Sequence, residues 1–144
     1  WNSHCVSVGF SCKKTPINSH VGWFNNSIGF HSDDGTVRFN DKMDAPVISR
    51  KWQAGDTAGA GLIYVKKTLV RPFFTFNGSI CYNSALPIKM ALPYFPCIGY
   101  DHPNSIDVNF SKKEFVFDIE NFIPLYSNEI IMQNNDFFEN PNMI

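Results

Sequence analysis

The chain has 144 residues, of which 44% are apolar, 14 are phenylalanine and only 17% are charged, with a net charge of −1. That length suits one domain with a real hydrophobic core lined by bulky rings. The charge balance leaves no cationic excess to neutralise phosphates, which argues against nucleic-acid binding, and no apolar run approaches the ~18 residues of a membrane-crossing helix.

The sequence opens at Trp1 with neither a methionine nor a signal-like segment, so it reads as a processed product or a fragment. Its first element is "HCVSVGF", where Val6, Val8 and Phe10 alternate with Cys5, Ser7 and Gly9. A period of two is the mark of a strand with one buried face. Next comes "SIGFHSDDGTVRFN". Ile28 and Phe30 belong to one predicted strand and Val37 and Phe39 to the next, with Ser32 to Gly35 as the connection.

The cluster "HSDDG" invites a metal or acid/base interpretation. Asp34-Gly35 supplies the residues that such a turn needs, however, and Asp33 can bond the local backbone. Adjacent aspartates at a hairpin tip diverge more often than they converge, so a turn is the favoured reading and no metal is expected.

Further along, "AGDTAGAGLIYV" begins with a Gly-Asp turn and runs into a strand whose small residues suit close packing by a neighbouring layer. "FFTFNGSICY" puts Asn77-Gly78 between two apolar runs, the strongest short-range signal for a hairpin. The prolines of "ALPYFPCIGY" suit an entry loop ahead of a short strand, not a strand interior. "SIDVNF" alternates Ile106, Val108 and Phe110 with Asp107 and Asn109 and predicts another strand, as does the run that holds Asp118. Helix is scarce: only "YSNEIIMQNND", with Ser127 as N-cap, suits a turn or two before a polar tail. Many short strands with almost no helix predict an all-β, antiparallel β-sandwich.

Catalytic patterns are sparse. The four glutamates, Glu114, Glu120, Glu129 and Glu139, lie in the last third, and the aspartates show no paired acidic motif of the glycosidase kind. There is no GxSxG elbow, and Gly59-Ala60-Gly61 lacks a third glycine and a following helix. His4, His20, His31 and His102 are far apart and share no ligand spacing. Asp101-His102 beside Tyr100 suits recognition better than catalysis, because no nucleophile is near in sequence. Cys5, Cys12, Cys81 and Cys97 form no CxxC pair and read as reduced thiols of an intracellular protein, with two disulfides as the lesser alternative. Three Asn-X-Ser matches are near chance in so asparagine-rich a chain.

The ordered set "VGW", "SIGFHSDDG", "GDTAGAGL", "FFTFNG", "YFPCIGYD", "IDVNF" and "FVFDI" resembles the SPRY domain over almost all of residues 5–120. The resemblance is to the type found in Ran-binding protein M and related scaffolds, with the SPRY adaptors of fungal ubiquitin ligases second. It implies a bent, concanavalin A-like sandwich with no catalytic centre and no cofactor. Such domains bind short peptide segments of partner proteins through loops at one end, and in the Ran-binding protein M type they serve CTLH-type ubiquitin ligases as scaffold or substrate recruiter. A carbohydrate-binding or glycan-active sandwich is the alternative function. The implied location is cytoplasmic, with the nucleus as a second compartment.

Carried over by position, the peptide pocket would use Phe39, Asn40, Tyr100, Asp101 and His102. The loop at 100–102 is about one residue shorter than the Ran-binding protein M pattern. It also lacks the Val-Trp-Gly of the SOCS-box SPRY proteins, so their peptide specificity is not carried over. The resemblance also implies a SPRY domain over 1–123 that lacks its first strands, which are truncated, supplied by another chain or replaced by the C-terminal segment. Residues 124–144 would form an extension.

Overall fold

The computed structural model describes residues 4–12, 16–42, 46–101, 103 and 105–122. The expected helix after Ser127, the extension 124–144 and His102 lie outside these residues.

Eight strands form among the described residues, most of them where alternation or an apolar run predicts one, with the two-residue strand at Ile88–Lys89 unforeseen. β1 (Val6–Cys12) is flanked by β2 (Ser27–His31) and β8 (Tyr94–Tyr100), and β3 (Val37–Phe39) completes a four-stranded sheet in the order β3-β2-β1-β8. β4 (Ala58–Lys66), β5 (Leu69–Phe76) and β6 (Ser79–Asn83) form the second sheet, in which β7 (Ile88–Lys89) also pairs with β5. Every pairing between these strands is antiparallel.

The core lies where the inner faces of the two sheets meet. Ile28, Phe30 and Val37 of the first sheet pack with Val70, Phe74 and Met90, and Val8, Phe10, Phe39 and Trp52 press against them. Phe30 is its pivot, with Trp52 edge-on at 4.7 Å, Phe74 at 5.8 Å and Phe76 at 6.1 Å between ring centroids. Tilted and edge-on pairs of this kind add about 0.5–1.5 kcal/mol each beyond the area they bury.

Two prolines sit inside strands, contrary to the entry-loop expectation for one of them. Pro96 is in β8, at the sheet edge, where a missing ladder donor is tolerated. Pro72 is in β5, between neighbours on both sides. Its carbonyl accepts from Ser84 N–H at 3.0 Å, just past the end of β6, so its nitrogen faces the same way, into the gap before β7.

The first sheet is also covered on its outer face. Cys5, Ser7 and Gly9 were predicted to face away from the core, yet all three are buried. The cover is the β1–β2 connection, which folds back so closely that a Cβ on Gly29 would lie 2.2 Å from the Val21 carbonyl oxygen. Only glycine fits there.

The predicted strand at 105–110 does not form. Ile106, Val108 and Phe110 are exposed, and no described strand pairs with them. Asp118, also placed on a strand by its alternation, instead caps a single helical turn at 119–122 by accepting from Asn121 N–H at 3.0 Å. That turn brings Phe122 onto Phe73 at 4.7 Å, on the outer face of β5. Gly61 opposite Phe73 leaves room for its ring, so the glycines of β4 serve an in-sheet neighbour, whereas Ala58 and Ala60 pack against the core between the layers as expected.

Candidate functional site

One end of the first sheet gathers the start of β1, the end of β8 and the β2–β3 turn. The turn closes as its sequence predicts. Gly35 N–H donates to the His31 carbonyl at 3.1 Å, and Gly35 takes a φ of 70°. The two aspartates diverge, although the one that bonds the local backbone is Asp34. Its Oδ1 accepts from the Thr36 N–H at 3.0 Å and hydroxyl at 2.7 Å, and its Oδ2 meets Arg38 Nη2 at 2.7 Å. Burial acts to raise the Asp34 pKa, but these donors outweigh it and hold the carboxyl below its ordinary value.

Asp33 turns inward, where Cys5 Sγ donates to its Oδ1 at 3.2 Å. Burial first, and then the Asp33 carboxylate, push the Cys5 thiol up to about 12. His31 is fully buried, and its Nε2 lies 2.7 Å from the Val21 carbonyl. A carbonyl only accepts, so Nε2 carries the proton and Nδ1 turns its lone pair toward Cys5 Sγ, 3.7 Å away. Burial lowers the His31 pKa, so the ring is neutral.

Above this cluster lies a second one. Asp101 N–H donates to the Cys5 carbonyl at 3.2 Å, and its carboxylate accepts from Cys5 N–H. That backbone donor is the chief reason its pKa is lowered. Asp101 Oδ2 also lies 3.4 Å from His20 Nε2, and His20 Nδ1 lies 3.1 Å from Ser7 Oγ. The chain Ser7–His20–Asp101 has the membership of a hydrolase triad, but not its working geometry. Ser7 is fully buried, its oxygen accepts from Val21 N–H at 3.1 Å, and it meets Nδ1, the ring nitrogen that in a triad faces the acid. A substrate carbonyl cannot reach it.

Trp23 covers both histidines. It stacks on His31 with centroids 5.5 Å apart, meets His20 edge-on at 5.0 Å, and takes the Arg38 guanidinium at 5.9 Å. This half-exposed indole and the exposed Asp101 carboxylate are the outward parts of the assembly. Sequence spacing could not reveal it, because Cys5, His20, His31 and Asp101 come from four separate segments.

Of the five residues predicted to bind peptide, His102 lies outside the described residues and the other four do not lie together. Tyr100 is half-exposed at this end and pairs in register with Val6, next to Asp101. Phe39 pairs in register with Ile28, which pairs with Phe10. It is therefore four residues, or about 13 Å, farther along the sheet and three strands, about 14 Å, across it. Phe39 packs against the core, and Asn40, at a φ of 53°, uses its side-chain oxygen to accept from Asn26 N–H at 2.6 Å.

No protein-family model matches the chain. Individual relatives do. It is 30% identical over 118 residues to a Ran-binding protein M homolog of Arabidopsis thaliana, covering 81% of the chain and 24% of that protein. It is 31% identical over 112 residues to protein ssh4 of Sclerotinia sclerotiorum, covering 78% and 20%. It is 28% identical over 136 residues to human Ran-binding protein 9, covering 92% and 17%. The chain thus spans a quarter or less of the length of these relatives. Among solved structures, a human SPRY domain superposes with a TM-score of 0.56 at 25% identity, covering 65% of the chain and 58% of that structure.

Proposed function

Because the described residues form a SPRY domain similar in sequence to Ran-binding protein M, we propose that the chain is a non-catalytic protein-interaction module that binds short peptide segments through the Tyr100–Asp101 end of its first sheet. Scaffolding or substrate recruitment in ubiquitin ligation is the role proposed for it, with ubiquitin-ligase subunits among its partners and the cytoplasm or nucleus as its location. No described helix is long and apolar enough to cross a membrane.

The observation that carries this reading is the combination of exposure and rigidity at that end. Tyr100 is 44% exposed, while the adjoining Asp101 backbone and carboxylate are tied to Cys5. An aromatic side chain on a fixed backbone loses little entropy when a partner covers it, which is how binding hot spots work. The polar groups beneath it are bonded to one another and not arranged for chemistry. Phe39 and Asn40 enter the proposal as a separate contact, because one short segment would have to cross the whole sheet to reach both pairs.

The test is a displayed peptide library selected on the chain, followed by affinity measurement on Tyr100→Ala and Asn40→Ala. Tyr100→Ala is expected to weaken a selected peptide about tenfold, a loss of ~1.4 kcal/mol, with the unfolding midpoint unchanged. Equal affinity in that variant would place the peptide elsewhere on the domain.

A further inference from the structure

We propose that Cys5, His31 and Asp33 form a site for one divalent transition-metal ion, zinc above others, at the base of the β2–β3 turn. Each residue offers one ligand atom, and these atoms all lie within 4.8 Å of one another. Cys5 Sγ is 3.2 Å from Asp33 Oδ1 and 3.7 Å from His31 Nδ1. A tetrahedral zinc ion about 2.3 Å from sulfur and about 2.0 Å from nitrogen or oxygen would hold such atoms roughly 3.3–3.5 Å apart. The two sulfur separations are within a few tenths of an ångström of that spacing, and the His31–Asp33 pair, within 4.8 Å, closes on an ion by a side-chain shift of at most about 1.5 Å.

The surroundings of His31 are those of a ligand. Metal-bound histidines donate their second ring N–H to a carbonyl or carboxylate, which fixes the tautomer and the ring orientation. His31 does this through Nε2 to the Val21 carbonyl. Its Nδ1 is left unprotonated on a fully buried ring, 3.7 Å from the Cys5 sulfur, whose hydrogen goes to Asp33.

Charge points the same way. A divalent cation held by one thiolate, one carboxylate and one neutral imidazole is a site with no net charge, which suits partial burial. This donor set of sulfur, nitrogen and oxygen is zinc's, whereas magnesium and calcium take oxygen ligands.

The scaffold is rigid around the three ligands. The Cys5 backbone is tied to Asp101 on both its N–H and its carbonyl. Ser32, between the other two ligands, bonds Val6 through its N–H and its hydroxyl and accepts from Trp52 N–H at 2.9 Å. Asp33 is only partly buried, and a water or a side chain of a bound partner on its side would supply the fourth ligand of a tetrahedron.

The test uses the whole chain, stripped with a chelator and dialysed against zinc, with cobalt(II) as a spectroscopic probe. The expected result is one zinc per chain and, with cobalt, a tetrahedral spectrum carrying a thiolate-to-metal charge-transfer band. Cys5→Ser should abolish that band, whereas Cys81→Ser and Cys97→Ser should leave it intact. Zinc should raise the unfolding midpoint of the native chain. Asp33→Asn, which changes a partly exposed group and keeps its size, should retain the metal-free midpoint but lose at least tenfold in zinc affinity. Failure to retain zinc after dialysis, or a charge-transfer band that survives Cys5→Ser, would overturn the proposal.

Discussion

Asp56 receives four donors in the bend before β4. Arg50 reaches its two oxygens through Nη1 and Nη2, each at 2.7 Å, and Asn77 Nδ2 and Gln53 N–H complete the set at 2.9 and 2.6 Å. Arg50 is the first cause, and Asn77 the second, of a carboxyl held well below its ordinary range. The folded-state pKa thus lies under the unfolded value of about 3.9. The contribution to stability is complete above that value and is lost as pH falls toward the folded one. Asp56→Asn removes the titration, so that variant should lose less stability than the native chain between about pH 6 and about pH 3, as read by urea unfolding at each pH. Equal losses in the two proteins would show that solvent screening has erased the pair. The sequence placed Asp56 in this turn from "AGD" alone, but the partner in Arg50 and the link to Asn77 are tertiary facts.

At the scale of the element, local chemistry is most legible where a turn demands it. Asn77 and Gly78 take φ values of 50° and 81° between β5 and β6, the two positive angles of the predicted hairpin turn. Gly78→Val puts a β-branched residue in that region and brings its Cβ to 3.1 Å from Val116. It should cost about 1–3 kcal/mol, measured as a lower midpoint in chemical denaturation, whereas Gly78→Asn should cost much less. Alternation was a poorer guide. "SIDVNF" reads at period two as clearly as "SIGFH" does, yet only the second has strands on both sides. Period reports which residues share a face and not whether anything covers it. Phe110→Ser should therefore change stability by less than about 0.5 kcal/mol, whereas Phe74→Ala, at the heart of the core, should cost about 3–5 kcal/mol. Denaturant titration of the two variants side by side checks the contrast.

At the scale of the whole molecule, two sheets close over one core and leave the β1–β8 end to assemble polar side chains from distant parts of the chain. The sequence by itself determined the all-β class, the hairpin at Asn77-Gly78, the turn at 31–35 and the inward face of β1. Each of these depends on neighbours within a few residues, where periodicity and backbone preference act directly. Tertiary structure alone decided that the outer face of β1 is buried, that Pro72 fits inside β5, and that Cys5 meets His31 and Asp33. It also placed Tyr100 and Asn40 at opposite corners of one sheet. The physical reason is range: strand propensity is local, whereas burial, ligand geometry and the joining of a site require the position of a second segment, which no spacing along the chain encodes.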